Sequence, residues 1–305
     1  MGQGLTEHWG AQRWAIELTK MLDIIYAGSS DRFPVRVEEL AREYSRQRFP
    51  DDPITLVRGE PLRRFDGGLF KAPHGEKGWG IIYNSAITSP GRKAFTLGHE
   101  FGHYLAHRLT HPDGLQCSAQ DIVRWDSDYA QVEREANAFA ATLLMPPHDY
   151  RKQIDAKAKP NLDDIGECAN RYGVSLIAAT CQWLNYTERR SILVVSTDGF
   201  ILWARSSEKA LKTGAYFRTK NRPPIAVPAS SLAARTDLAA SNSTLDHDAG
   251  VWLPEPCQEL ALLSDRYEFA ISLLHLGDPP PWKREEDDDA EFDVLDVMNR
   301  LNARR

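Results

Sequence analysis

The stretch TLGHEFGHYLAHR, residues 96–108, sets His99, His103 and His107 four positions apart, with Glu100 directly after the first. On a helix rising 1.5 Å per residue, His99 and His103 lie about 6 Å apart along the axis on one face, so both imidazoles can converge on one ion at roughly 2 Å. His107 stands one turn further on and cannot easily reach the same ion while the helix stays regular, which makes it a flanking or surface histidine on spacing alone. Glu100 is rotated by about 100° from His99, a direction that suits a side chain addressing a water beside the metal rather than the metal. A metal lowers the pKa of such a water toward about 7, and a carboxylate can then take its proton and deliver it to a leaving amine. That is the division of labour in HExxH.

Three fixed positions are only moderately specific, and the competing reading is an ordinary buried helix whose histidines are satisfied core or surface groups. A third ligand is needed. The extended motif HExxHxxGxxH fails here, because Ala106 stands in the place of the glycine and Leu109 in that of the third histidine. A carboxylate from another helix is the remaining common solution, and the candidate stretch is VEREANAFAATLLMPP, residues 132–147. Glu133 and Glu135 compete. Glu133 is favoured because Asn137, four residues on, shares its helical face and can orient a ligating histidine through its amide. Glu135 has Phe139 at that spacing and reads as a solvated charge or salt-bridge partner.

These residues must be held by the elements around them. Apolar periodicity predicts a helix over Glu7–Ile25, with Trp14, Leu18, Met21, Leu22 and Ile25 on one side, and a second over Val35–Arg46. Between residues 54 and 83 the pieces ITLV, GGLF and GWGIIYN, broken by Pro and Gly, predict strands of a small sheet. The motif helix begins near Arg92, after Ser89-Pro90-Gly91, and must end by Pro112. The Glu133 helix runs over Val132–Met145 and stops at Pro146-Pro147.

Taken together, FTLGHEFGHYLAHR and EREANAFAATLLMPP resemble the ImmA/IrrE family of metallo-endopeptidases. The resemblance runs from PVRVEELAREY, FDGGLF and GWGIIYN through ANRYGVSLIAATCQWL, about residues 33–190, and weakens beyond. It implies a gluzincin-like enzyme with His99, His103 and Glu133 as metal ligands, Glu100 as general base, and zinc, or manganese in some members, as the metal. Characterised members act on helix-turn-helix transcriptional repressors in stress response or mobile-element control, so a repressor-type DNA-binding protein is the expected substrate. The motif does not supply an oxyanion stabiliser. Tyr104, Tyr129, His148 and Tyr150 are all merely close in sequence.

The expected fold class is α+β: a helix-rich HExxH domain with a small sheet over residues 1–150, a helix-turn-helix-like segment over 151–190, and a smaller β-rich domain over 191–277. In the middle segment the second helix, Ser175–Tyr186, carries no Lys or Arg and only Gln182 and Asn185 as amides that could read a base, so packing is favoured over DNA contact. Further on, Asp198-Gly199 signals a two-residue hairpin, residues 257–276 fit a strand pair with a helix as the alternative, and residues 218–250 read as long loops. The end, 278–305, reads as a Pro-rich linker, an acidic run and a C-terminal helix in which Phe292, Leu295, Met298 and Leu301 form a narrow stripe.

Composition sets the outer bounds. The 305 residues are 42% hydrophobic and 26% charged, enough to bury a core. A net charge of −6 offers no basic field for nucleic acid. No apolar run approaches the roughly 20 residues that span a bilayer, and the opening lacks the layout of a signal peptide; the expectation is a cytoplasmic protein with four reduced cysteines. The rival to an enzyme is a regulatory protein that docks through its C-terminal domain and keeps the metal for structure. An intact Glu100 and only three protein ligands argue against it, since structural zinc sites are closed by four.

Overall fold

The computed structural model describes residues 9–62, 65–112, 114–118, 128–219, 222–235, 243–264 and 269–279. The acidic run and the apolar stripe after residue 280 lie outside them. Among the described residues, eight α-helices and two sheets form an α+β fold.

Helix α1 (Ala11–Ile25) buries Ala11, Trp14, Ala15, Leu18 and Leu22, whereas Ile25 stays 63% exposed and outside the expected stripe. Helix α2 (Val37–Arg48) starts two residues later than the periodicity predicts, leaving Pro34 ahead of it. The first sheet has strand order β1-β3-β2-β4, from β1 (Ile54–Glu60), β2 (Phe65–Lys71), β3 (Trp79–Asn84) and β4 (Gly114–Ser118). Only the β1–β3 pair is parallel. Strand β4 has no clear signature in the sequence, because its five residues carry no alternation long enough to stand out.

The motif helix α3 (Pro90–His107) is opened by Ser89, whose Oγ accepts from the Arg92 amide, with Pro90 in the first turn where its missing N–H costs nothing. Helix α4 (Asp128–Leu144) packs along it. Two glycines on α3 set the closeness of that packing. A side-chain carbon at Gly98 would lie 3.3 Å from Ala140 Cβ, and one at Gly102 only 2.9 Å from the Phe139 ring. Their absence lets the two backbones approach until residues on α4 can reach the histidines of α3.

After α5 (Pro147–Gln153), helices α6 (Leu162–Tyr172) and α7 (Leu176–Leu184) make the helix-turn-helix-like pair. Asn161 and Asp164 form a reciprocal capping box at the start of α6, Gly173 ends it at φ 64°, and Ser175 caps α7. The pair is packed into the protein. Tyr150 donates to the Ala179 carbonyl, and buried Gln182 donates to the Met145 carbonyl. Asn185 donates to Gln182 and accepts from Arg205, so both amides that could have read a base are spent on internal contacts.

The second sheet is antiparallel, with order β6-β5-β9-β8-β7. Strands β5 (Ser191–Thr197) and β6 (Phe200–Ser206) turn at Asp198 and Gly199, both at positive φ, as the hairpin signal required. The apolar run at 257–276 resolves into strands β8 (Cys257–Ser264) and β9 (Phe269–Leu276). The region expected to be loops contains β7 (Ser243–His247), a polar strand pinned by its partner β8 rather than by its own propensity. One face of this sheet, through Leu193, Leu260, Ile271 and Leu273, joins the core that also holds Trp183 and Leu184. The other face covers a separate cluster around Ile192, Val194, Leu274 and Trp252.

A buried carboxylate organises the far edge of the sheet. Glu259, fully buried, accepts from the backbone amides of Leu232 and Ala233, the Trp252 indole and the Ser272 hydroxyl, and it pairs with His247 at 2.7 Å. Five partners offset the cost of burying that charge and tie β7 and the 232–234 turn to β8 and β9.

Candidate metal centre

His99, His103 and Glu133 each present one ligand atom, and these atoms lie within 4.8 Å of one another. His99 Nε2 and His103 Nε2 are 2.9 Å apart; Glu133 Oε2 is 3.3 Å from the former and its Oε1 is 3.2 Å from the latter. Three atoms bound at about 2 Å around a tetrahedral centre are separated by about 3.3 Å, so this donor set has the spacing and chemistry of a divalent-cation site. All three residues are buried. The sequence-predicted trio is therefore brought together by α3 and α4.

Electrostatics favour the same arrangement. Burial pulls the His103 imidazole down to about 4, only partly offset by its hydrogen bond with Glu133. It is neutral and ready to donate a lone pair. His99 is also pulled down by burial, but Glu133 and Glu100 outweigh this and its net shift is upward. Burial alone would raise the Glu133 carboxyl, yet hydrogen bonds with both histidines hold it well below the usual carboxylate range. The acid thus supplies a negative charge where a cation would sit.

Asn137 Oδ1 is 3.0 Å from His99 Nδ1, the contact its position four residues after Glu133 suggested. Glu100 is fully buried, and its carboxylate lies against β2 at Gly67, where a side-chain carbon would meet Oε1 at 2.9 Å. Glu135 does not join the trio; its Oε2 is 3.2 Å from His107 Nε2. Of the two roles expected of His107, flanking or surface, the structure shows the flanking one. It is 5% exposed, and its Nδ1 stands 3.1 Å from His103 Nδ1. Spacing could exclude it as a ligand, but its burial needed the neighbouring helix.

Three of the four oxyanion candidates are committed elsewhere. Tyr104 donates to the Asp52 carbonyl at 2.7 Å, Tyr150 to the Ala179 carbonyl, and His148 pairs with Asp23 at 2.9 Å. The Tyr129 side chain lies outside the described residues. Among the described residues no helix is long and apolar enough to cross a membrane. Missed in the sequence was the role of Gly67, where a side-chain carbon would meet both Thr96 and Glu100; the glycine pair Gly67-Gly68 in a strand was the available signal.

Comparison with known proteins agrees with this geometry. No curated protein matches the chain. The family model for the IrrE N-terminal-like domain, Peptidase_M78, matches residues 51–182, from just ahead of β1 through most of α7, a span that contains all three candidate ligands and Glu100. Residues 51–182 are therefore similar to the IrrE N-terminal-like domain, the metallopeptidase family that the two helix motifs resemble.

Proposed function

We propose that this protein is a metal-dependent endopeptidase that cleaves a specific intracellular protein, a helix-turn-helix transcriptional repressor. The observation that carries the reading is the convergence of buried His99, His103 and Glu133 with the buried carboxylate of Glu100 next to them in the chain. His99, His103 and Glu133 would hold the ion, zinc by the nature of the donor set, with manganese as the alternative. When bound, such a cation supplies Lewis acidity toward a water and a peptide carbonyl. The remaining chemistry belongs to the chain. Glu100 accepts the proton of the attacking water and passes it to the leaving amine, while Asn137 fixes the ring of His99. Two nitrogens and one carboxylate leave a coordination position open, as hydrolysis requires and a structural site does not.

The repressor substrate rests on the family resemblance and on charge: a protein of net charge −6 attracts the basic face of a DNA-binding domain at low salt. The test is reconstitution of the metal-free protein with zinc or manganese and incubation with purified helix-turn-helix repressors from the same genome. One or two discrete fragments are expected. Glu100→Gln should keep stoichiometric metal and lose cleavage by about 10²–10⁴-fold. Glu133→Ala should lose the metal as well. Cleavage by Glu100→Gln at the wild-type rate would show that another group moves the proton, and indiscriminate digestion of casein would remove the case for a dedicated substrate.

A further inference from the structure

The two candidate ligand histidines are held from behind by different devices. His99 turns its Nδ1 to the amide oxygen of Asn137. His103 turns its Nδ1 to Nδ1 of His107 at 3.1 Å; His107 Nε2 meets Glu135 Oε2 at 3.2 Å, and Glu135 Oε1 accepts from the Gln131 amide at 2.7 Å. The result is a line of polar groups running from the buried trio to the surface, with His103 and His107 on α3 and Glu135 and Gln131 on α4.

With both imidazoles neutral and a cation held by the trio, one distribution of protons satisfies this line. The Glu135 carboxylate accepts only, so His107 must carry its hydrogen on Nε2. Its Nδ1 is then the lone pair of a neutral imidazole, and it can accept only if His103 donates from Nδ1. With that hydrogen on Nδ1, His103 Nε2 turns its lone pair to the trio, the form a metal ligand needs in place of the proton it shares with Glu133 in the metal-free site. Reversing any member sets two N–H groups face to face or puts the His103 proton on the side of the trio.

We propose that His107 and Glu135 are positioning residues that set the tautomer and ring orientation of His103 through this line. The inference rests on the metal-site reading above and adds a role for a histidine read as flanking or surface and a glutamate read as a solvated charge or salt-bridge partner. Loss of such an outer partner typically costs about 10- to 100-fold in metal affinity.

The test measures zinc affinity of the full-length, metal-free protein by competition with a chromophoric chelator, with circular dichroism as the folding control. His107→Phe, which keeps a ring but offers no acceptor, should weaken zinc by about 10- to 100-fold. His107→Asn, whose amide oxygen falls near the place of Nδ1, should recover affinity to within a few-fold of wild type. Glu135→Leu should show an intermediate loss, and the double variant His107→Phe, Glu135→Leu should be no worse than His107→Phe alone. If His107→Phe binds zinc as tightly as wild type, or His107→Asn as poorly as His107→Phe, the positioning role is overturned. Should His107→Phe not fold, Glu135→Leu decides, because its carboxylate is 38% exposed and not needed for the core; unchanged affinity there removes the line. A wild-type protein that takes up no zinc would overturn both this inference and the metal-site reading, whereas normal zinc uptake without cleavage of any repressor would touch only the proposed function.

Discussion

Gly67→Ala should disable the carboxylate of Glu100 while leaving the candidate ligands in place. Gly67 lies on β2 opposite α3, and a methyl there would sit 2.6 Å from Thr96 Cγ2, 2.9 Å from Glu100 Oε1 and 3.3 Å from Glu100 Cγ. Carbon atoms pack best at about 3.5–4.0 Å, so the gap between strand and helix must open by about 1 Å or the Glu100 side chain must swing away. Thr96 is β-branched and held on a buried helical face, so it yields less readily than the carboxylate. Overpacking of this kind costs about 1–3 kcal/mol and should lower the melting temperature by about 3–10 °C. A displacement near 1 Å of a catalytic group costs about 10²-fold in rate. The expected profile is therefore folded protein, one zinc per chain, and kcat/KM reduced by about 10²-fold on a repressor or on a mixture-based peptide library read by mass spectrometry. Unchanged melting temperature together with unchanged kcat/KM would show that the sheet gives way freely, and the steric argument would fail. Loss of zinc in step with activity would mean that α3 itself had moved.

Two further predictions concern the C-terminal sheet. His275 is buried between the Pro160 carbonyl at Nε2 and the Ser191 hydroxyl at Nδ1, and burial, helped by the charges of Lys159 and Arg189, depresses it from 6.5 to about 4. Because the unfolded chain binds a proton there first, its contribution of about 3 kcal/mol is full above pH 6.5 and lost as pH falls toward 4. Urea titrations across that window should show a shallower slope for His275→Gln than for wild type, and identical slopes would contradict the assignment. Glu259→Gln swaps one acceptor for an NH2 group facing donors and should destabilise the protein by about 3 kcal/mol; a loss below about 0.5 kcal/mol would mean the carboxylate is not the hub of that edge.

Much of the site was legible in the chain because the chemistry is local. Four residues between helical turns on α3 put His99 and His103 on one face and Glu100 beside them, and the same spacing on α4 paired Glu133 with Asn137. Helix periodicity is a property of consecutive residues, so, although α3 starts two residues ahead of the expected Arg92, the opening of α7 at Ser175 and the turn at Asp198-Gly199 could be read without knowing what they pack against. The burial of His107 could not. Its partners come from its own helix and from α4, and only the approach permitted by Gly98 and Gly102 decides that Glu135 covers it. Nor could β4 and β7, which are short and hold their place through the strands beside them. Sequence spacing determines which side chains share a face, because that geometry repeats every few residues; which face meets which is a matter of packing between segments far apart in the chain, and it exists only once the helices and sheets have closed on one another.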